Sequence, residues 1–284
     1  MTAQTDLKGK TLFITGGSRG IGLAIAERAA RDGANVVIAA KTAEPHPKLE
    51  GTIYTAAAAI EKAGGQALPL VLDVRDADAI DAAVARAAQH FGGLDICVNN
   101  ASAIDLASSE QIEVKRFDLI QQINMRGTFL VSRACVPHLR RSVNPHVLTL
   151  SPPLTLRPDW FAHHLPYTLS KYGMSMVTLG MAEEFKSDGV AFNALWPRTT
   201  VATAAIKHVL GGDALMNRSR LPAIMADAAY AIFLRDARAF TGNFLLDDDV
   251  LREAGVTDFA PYRHDPAAEL QIDIFVAPDG QPIP

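Results

Sequence analysis

Tyr167 and Lys171 are four residues apart in the sequence, and their side chains could together carry out proton transfer. On a helix, residues i and i+4 lie on the same face, so the lysine ammonium can approach the tyrosine hydroxyl. A nearby cation can lower the tyrosine pKa from about 10 by roughly 1–3. The pair therefore predicts a phenol that exchanges protons near neutral pH. A surface tyrosine beside a solvated lysine is the alternative, because this spacing also arises by chance.

A glycine-rich turn near the N-terminus is the second group of residues that could do chemistry. The sequence Thr-Gly-Gly-Ser-Arg-Gly-Ile-Gly at 15–22 follows an apolar run and precedes a helical pattern. Glycine lets the backbone approach a pyrophosphate, and a helix N-terminus offers free N–H groups to the anion. The residues predicted to bind such a cofactor are Gly16, Gly17, Ser18, Arg19, Gly20, Ile21 and Gly22. A tight turn without a ligand is the alternative.

Strand and helix patterns alternate along the chain and must position these residues. Apolar runs predict strands at 11–15, 35–40, 67–72, 95–98, 146–150, 190–195 and 242–246. Helical patterns cover 21–31, 52–62, 77–89, 110–141, 167–186 and 221–235, with Pro137 expected to kink or end the fourth. This alternation predicts one Rossmann-like, doubly wound α/β domain over 1–284 with a mostly parallel sheet of about seven strands. Residues from about 247 to 284 are expected to form an irregular tail.

Composition and charge exclude several classes of protein. The chain has 284 residues, 49% of them hydrophobic, and a net charge of −4, which argues against nucleic acid as a partner. No apolar run approaches the ~20 residues that cross a bilayer, and the N-terminus has no apolar leader stretch. Cys97 and Cys135 are too few for a disulfide framework or metal site, so we expect buried free thiols, no metal and a cytoplasmic location.

Several motifs in order resemble the short-chain dehydrogenase/reductase family. The glycine spacing is T-G-x-x-x-G-x-G, and the Tyr-x-x-x-Lys pair follows it downstream. The segment 99–102, Asn-Asn-Ala-Ser, is similar to the family's N-N-A-G, with serine in place of glycine. The resemblance implies that Asn99 and Asp73 contact the cofactor, Asp73 at the adenine. It further implies that Asn124 interrupts its helix and supports a water leading protons from Lys171. It also implies a homodimer or homotetramer.

The family's catalytic serine has no straightforward counterpart in this sequence. Aligned to the family's serine pair after the fifth strand, Ser151 takes the first position and Pro152 the catalytic one. Proline cannot donate a hydrogen bond. Ser151 could substitute through a shifted loop, or Thr155 could reach in, whereas strand-end hydrogen bonding is the alternative for Ser151. The loop that follows is longer than usual, and its aromatic and histidine residues at 159–164 could wall a substrate pocket.

Other segments qualify the resemblance. Arg198 replaces the glycine of the family's P-G after the sixth strand, although we still expect backbone contact there with a nicotinamide. The methionines at 174, 176 and 181 are expected in the core or a subunit interface. Segments at 41–47, 151–153, 172–176 and 242–244 are similar to one branch of the family.

Charge predicts which nicotinamide cofactor would bind. A carboxylate at the end of the second strand would bind the adenosine ribose hydroxyls and repel a 2′-phosphate. Here the strand ends Ala39-Ala40-Lys41, and Arg19 lies in the glycine-rich turn. Two cations without an anion favour NADP(H). The alternative is that both are solvated surface cations that do not affect the choice of cofactor.

The sequence therefore predicts an NADP(H)-dependent oxidoreductase that interconverts a carbonyl and a secondary alcohol. Tyr167 would be the general acid/base, and Lys171 would lower its pKa and hold the nicotinamide ribose. The substrate would be a small molecule, with a hydrophobic one as an option. Two alternatives stay open: an NADP(H)-binding redox sensor or interaction protein with little catalysis, and an enoyl-type C=C reductase.

Overall fold

A single parallel sheet organises the chain. The computed structural model describes residues 4–45 and 50–277. Within them, seven strands pair in the order β3-β2-β1-β4-β5-β6-β7. The strands are β1 (Thr11–Thr15), β2 (Asn35–Ala40), β3 (Gln66–Val71), β4 (Ile96–Asn99), β5 (His146–Thr149), β6 (Ala191–Trp196) and β7 (Phe244–Leu246). All six pairings are parallel. The predicted doubly wound α/β class is confirmed, with strand ends shifted by two residues at most.

Helices cover both faces of the sheet, which explains why strands such as β1 and β2 are buried at every residue. The helices are α1 (Gly20–Ala30), α2 (Ile53–Lys62), α3 (Ala77–Phe91), α4 (Val114–Gln121), α5 (Gly127–Leu139), α6 (Asp159–Ala162), α7 (Leu165–Glu184), α8 (Gly212–Asn217), α9 (Ala223–Phe233) and α10 (Asp247–Glu253). Residues of α1, α2 and α9 pack on one face, and residues of α3, α5 and α7 pack on the other.

The strand order creates a crevice at the carboxyl ends of β1 and β4. Strand β1 pairs with β2 on one side and β4 on the other, so the connections leave it in opposite directions. In open α/β sheets, ligands bind where the strand order reverses in this way. The glycine-rich turn leads from β1 into α1 at this edge, and the loop after β4 lies next to it.

The long helix predicted at 110–141 is interrupted. Helix α4 ends at Gln121, a π-helical turn spans Gln122–Arg126, and α5 follows directly at Gly127. Such turns often mark functional sites in helices. Pro137 lies inside α5, which continues two residues beyond it to Leu139. Helix α8 and a second π-helical turn at Ile206–Leu210 were not predicted.

The C-terminal segment is ordered where the sequence analysis expected an irregular tail. Helix α10 begins directly after β7, and a short 3₁₀ turn follows at Ala260–Tyr262. The acidic run Asp247–Asp249 occupies the first turn of α10, where negative charge is favourable to the helix dipole. Further along, Phe275 and Val276 are buried. Residues 278–284 of the predicted tail lie outside the described residues.

Candidate active site

The glycine-rich turn has the close backbone packing that its sequence requires. Gly16 and Gly20 have φ of 66° and 57°, a region that residues with a Cβ rarely adopt. A Cβ on Gly16 or Gly22 would lie 2.9 or 2.5 Å from the Asn100 Nδ2. That amide donates hydrogen bonds to the Thr15 and Gly16 carbonyls, at 2.9 and 3.0 Å. The turn is therefore fastened to the loop after β4.

A cavity of about 500 Å³ opens above this turn. Its walls include the predicted cofactor residues Gly16, Ser18, Arg19, Gly20, Ile21, Lys41 and Asp73. Gly17 and Gly22 do not line it. A Cβ on Gly17 would lie 3.3 Å from methyl groups of Ile14 and Ile38, so this glycine instead allows the turn to pack on the sheet.

Charged side chains at the far end of this cavity are paired. Asp73 forms ion pairs with Arg75 and with Lys41, whose Nζ lies 3.6 Å from the carboxylate. The hydrogen bond from Arg75 is the main cause that lowers the pKa of Asp73 to about 2, and Lys41 contributes. Arg19 donates from Nε to the Glu50 carbonyl at 2.9 Å. No carboxylate stands at the end of β2, which is followed by Lys41.

The Asn99 side chain lines neither cavity, and its contact with the cofactor stays a prediction. Its side chain is buried and donates to the Ser132 Oγ at 2.9 Å. Asn99 is the last residue of β4, and its side chain faces α5. Asn100, beyond the end of the strand, lines both cavities. The sequence does not show which of these two adjacent asparagines points into the crevice, because this depends on the exact residue at which the strand ends.

A second cavity, of about 420 Å³, contains Tyr167 and Lys171. It adjoins the first, since Ile21, Asn100 and Ser102 belong to the walls of both. Both α7 side chains are buried, with exposures of 4% and 2%. The predicted pair is therefore brought beside the glycine-rich turn, within one cleft.

The electrostatics of the pair differ from the sequence-based expectation. Burial raises the pKa of Tyr167 above its ordinary value, Asp273 raises it further, and a hydrogen bond with Ser102 partly opposes both. Burial lowers the pKa of Lys171 to about 7, with Asp273 opposing. Burial is thus the main influence on the Tyr167 pKa, and it acts in the direction opposite to the lowering expected from the lysine.

The Lys171 ammonium is held by groups other than the tyrosine. Its Nζ donates to the Leu150 carbonyl at 2.6 Å and lies 5.1 Å from the centre of the Trp196 ring. Helix α7 also holds the loop after β5 one turn later, where the Ser175 Oγ donates to the Pro152 carbonyl at 2.7 Å. These bonds fix the end of β5 against α7.

Asn124 lies in the π-helical turn, so the implied helix interruption is present. Its Oδ1 accepts from the Ala103 N–H at 2.8 Å, and its Nδ2 donates to the Ser170 Oγ at 2.9 Å. The side chain therefore joins the loop after β4 to α7. It holds Ser102 and Tyr167 in place through their neighbours in the chain.

A serine that was not predicted brings its hydroxyl to the cavity of Tyr167. Ser151 is fully buried, its Oγ has no hydrogen-bond partner among the described residues, and it does not line the cleft. Thr155 does not line it either. Ser102 does, and it hydrogen-bonds to Tyr167. The available signal was the serine at 102 where the family has glycine.

The C-terminal segment supplies another wall, which sequence reasoning missed. Gln271, Ile272, Asp273 and Ile274 line the cavity of Tyr167. Phe275 follows at φ 65° and packs among aromatic rings, with its ring centre 6.4 Å from that of Tyr167 and 5.8 Å from that of Trp196. No local pattern places a residue more than 100 positions downstream against Tyr167.

The loop at 159–164 supports this segment and does not form the predicted pocket wall. Trp160 and His164 lie against Phe275, with ring centres 6.2 and 5.7 Å away, and Phe161 packs on Tyr172. None of the three lines the cavity. Burial lowers the pKa of His164, which keeps its ring neutral.

The Arg198 side chain faces away from the cleft. Its Nε donates to Asp248 at 2.6 Å, and its backbone N–H donates to Asp247 at 2.9 Å. The neighbouring Pro197 and Thr200 do line the cavity. The arginine thus anchors this loop to the start of α10. Among the helices of residues 4–45 and 50–277, none has both the length and the apolar character to span a membrane.

Comparisons with known proteins agree with this geometry. A short chain dehydrogenase profile matches residues 10–210. The chain is 58% identical to hydroxysteroid dehydrogenase-like protein 2 of Danio rerio over 276 residues, which are 97% of this chain and 65% of that protein. The chain thus spans about two-thirds of that relative's length. This match confirms the resemblance to one branch of the family that the four sequence segments indicated.

Solved structures show the same fold. A short chain dehydrogenase from Mycobacterium thermoresistibile superimposes with a TM-score of 0.91, at 58% identity and 96% coverage of each chain. A short chain dehydrogenase from Burkholderia cenocepacia, solved in complex with NADP, has a TM-score of 0.73 at 30% identity, covering 85% of this chain and 97% of that one. The chain belongs to the short-chain dehydrogenase/reductase family.

Proposed function

We propose that the protein is an NADP(H)-dependent oxidoreductase that interconverts a carbonyl and a secondary alcohol, with Tyr167 as general acid/base. The observation that carries the proposal is that the two cavities adjoin along shared walls. The buried Tyr167 and Lys171 share Ile21, Asn100 and Ser102 as walls with the glycine-rich turn. A small substrate could therefore meet both the tyrosine hydroxyl and a cofactor bound over the turn.

The first cavity fits a dinucleotide. Gly16 and Gly20, which have no side chains, line this cavity, and the N-terminus of α1 at Gly20 presents N–H groups to an anion. Asp73 lies at the end proposed for adenine. When bound, the cofactor would supply or accept the hydride.

The 2′-phosphate preference is proposed from charge. Lys41 and Arg19 line this cavity, and Arg75, which does not line it, pairs with the lining residue Asp73. Three cations against one carboxylate leave a positive balance, which favours a 2′-phosphate over a free hydroxyl. The NADP complex of the Burkholderia cenocepacia relative supports the same choice.

In the reduction direction, Tyr167 would donate its proton to the developing alkoxide. A raised pKa keeps that proton on the phenol until the substrate oxygen becomes strongly basic. Ser102 would be the second hydroxyl near the substrate oxygen, in place of Ser151. Lys171 would hold the nicotinamide ribose, and Asn124 would position the residues around the pair.

The test is hydride transfer by Tyr167→Phe. We expect turnover of NADPH with a panel of ketones and aldehydes to fall by about 10²–10⁴, the usual range for acid–base catalysis. NADPH affinity, measured by fluorescence titration, should stay unchanged. Tyr172→Phe is the matched control, because Tyr172 lies on the same helix but does not line the cavity. Unchanged turnover in Tyr167→Phe would remove the mechanism.

A second candidate function is an NADP(H)-binding redox sensor or interaction protein with little catalysis. It is favoured by Pro152 at the serine position and by the burial of Ser151 away from the cleft. The same panel separates the two candidates. Tight NADPH binding without oxidation by any ketone or aldehyde would support the sensor.

We also propose a homodimer or homotetramer. Apolar side chains of Met125, Phe129, Leu169, Met176 and Leu179 are 37–57% exposed on α7, α5 and the π-helical turn between α4 and α5. Static light scattering should give a mass of at least two chains, and Met176→Glu should lower it. A cytoplasmic location is proposed too, and it is supported by the buried free thiols of Cys97 and Cys135.

A further inference from the structure

Asp273 brings a carboxylate into a cavity that is otherwise almost uncharged. Among the described residues that line the cavity of Tyr167, only Lys171 and Asp273 are of types that are normally charged at neutral pH. Most of the other lining side chains are apolar, including Ile104, Leu210 and Ile272. A substrate therefore meets apolar surface, a few neutral polar groups and this one acid.

The main chain holds Asp273 at this place. Its N–H donates to the Arg198 carbonyl at 3.0 Å, and the Thr200 N–H donates to the Gln271 carbonyl at 2.9 Å. On the other side, the Trp196 Nε1 donates to the Ile274 carbonyl at 2.9 Å. Phe275 then anchors the segment among the aromatic rings. The acid cannot easily withdraw when a substrate enters.

The cation in the cavity already has partners within the protein. The Lys171 Nζ is held by the Leu150 carbonyl and lies over the Trp196 ring. Other ionisable groups near Asp273 are Tyr167 on α7 and Asp247 at the start of α10. Burial raises the pKa of Asp273 to about 7, so the carboxylate carries its charge in mildly alkaline solution.

We infer that Asp273 determines the charge of the substrate: the site takes a neutral, largely apolar carbonyl compound or alcohol and rejects one with a carboxylate beside the reacting carbon. The inference rests on the proposed function and narrows its substrate class. A substrate carboxylate next to the reacting carbon would lie in the same small cavity as Asp273. Repulsion between two like charges a few ångströms apart in a protein weakens binding by about 10- to 100-fold.

The experiment compares a medium-chain 2-oxo acid with its methyl ester, which differ in charge but hardly in shape. The readout is the ratio of kcat/KM for acid to ester with NADPH at about pH 8, above the pKa of Asp273. Wild type should strongly favour the ester. Asp273→Asn should raise the acid-to-ester ratio about 10- to 100-fold. Because damage to the fold lowers both rates, the ratio isolates the charge.

Two further variants control the comparison. Glu269→Gln removes an exposed acid four residues upstream that does not line the cavity, so its ratio should equal that of wild type. Asp273→Glu keeps the charge and should keep the preference for the ester. An equal rise in Glu269→Gln would show that net charge of the segment, not Asp273, is responsible.

The outcomes separate this inference from the proposed function. If wild type reduces the ester and Asp273→Asn leaves the ratio unchanged, Asp273 has no such role, although the oxidoreductase stands. If wild type reduces neither compound and no member of the ketone and aldehyde panel, the proposed function fails. Equilibrium binding of both compounds to NADPH-loaded protein, followed by tryptophan fluorescence, then gives the same ratio without turnover. A ratio unaffected by Asp273→Asn in that assay would overturn the inference.

Discussion

The two cavities of the cleft differ in what shifts the pKa of their carboxyl groups. Around the glycine-rich turn, Asp73 is near the surface, and the hydrogen bond from Arg75 is the main cause that lowers its pKa to about 2. In the cavity of Tyr167, burial raises the pKa of Asp273 to about 7, and outside that cavity, at the start of α10, it raises the pKa of Asp247 to about 6. In the first region neighbouring charges set the protonation state, and in the second the loss of water sets it.

The difference follows from how each region is built. The cofactor region comes from the β1–α1 turn and the ends of β2 and β3, which are close in sequence and open to solvent. The region around Tyr167 combines the loop after β4, α7 and the segment 271–277. Segments from distant parts of the chain exclude water when they pack together, so their charges lose hydration that local neighbours do not replace.

The largest predicted effect concerns Phe275, which holds the distant segment in place. Phe275→Ala should lower the free energy of unfolding by about 3–5 kcal/mol, because a buried aromatic side chain is removed from its packing. Urea denaturation measures this change. NADPH affinity should survive, since Phe275 does not line the first cavity.

Leu156→Ala is the control for this prediction, because Leu156 is 86% exposed. Its effect should stay within about 0.5 kcal/mol, as for most surface substitutions. A similarly small effect of Phe275→Ala would show that the segment contributes little to the second region.

The next effect is the pH dependence that buried Asp247 causes. Its pKa in the folded protein is about 6, above the ordinary 3.8, so the folded state holds this proton longer than the unfolded state. The group therefore lowers stability increasingly as the pH rises from about 4 to 6. Asp247→Asn removes that cost. The difference in the free energy of unfolding between this variant and wild type should therefore shift in favour of the variant by up to about 2–3 kcal/mol between pH 4 and pH 8. Unfolding curves across this range measure it, and a constant difference would contradict it.

Gly22→Ala tests the cofactor region on its own. The added Cβ would lie 2.5 Å from the Asn100 Nδ2, so the turn and the loop after β4 must separate. We expect a loss of about 1–3 kcal/mol of stability from overpacking. NADPH affinity should fall as well. Gly93→Ala is the matched control, because a Cβ there meets nothing within 4 Å. Equal NADPH affinity in both variants would show that the turn does not bind the cofactor.

The smallest effect should come from Asp73→Asn, and its sign is opposite to that of Asp247→Asn. The folded-state pKa of Asp73 is lowered, so its pairing contributes stability above about pH 4 that is lost as the pH falls towards 2. The pair is largely exposed and screened by solvent, so the loss at neutral pH should be below about 1 kcal/mol. Stabilisation by this variant at neutral pH would contradict the comparison of the two regions.

Much of the cofactor region could be predicted because its signals are local. The turn at 15–22, Lys41 and Asp73 each stand at the end of a strand, and strand ends follow from short apolar runs. The exceptions are Gly17 and Gly22, which pack on neighbouring segments and do not line the cavity, and Asn99, whose side chain points towards α5. That direction changes with a single residue of strand length, which apolar patterns do not resolve.

The sequence by itself determined the doubly wound sheet, the glycine-rich turn at the end of β1, the absence of an acid after β2, and the placement of Tyr167 and Lys171 on one helix. Only the tertiary structure decided that Ser102 rather than Ser151 faces the tyrosine, that Asp273 and Phe275 complete its surroundings, and that the pKa of Tyr167 rises. Periodicity and turn chemistry act over a few residues and are written in order along the chain. Burial depends on which distant segments meet, and it was burial that set the ionisation of this site.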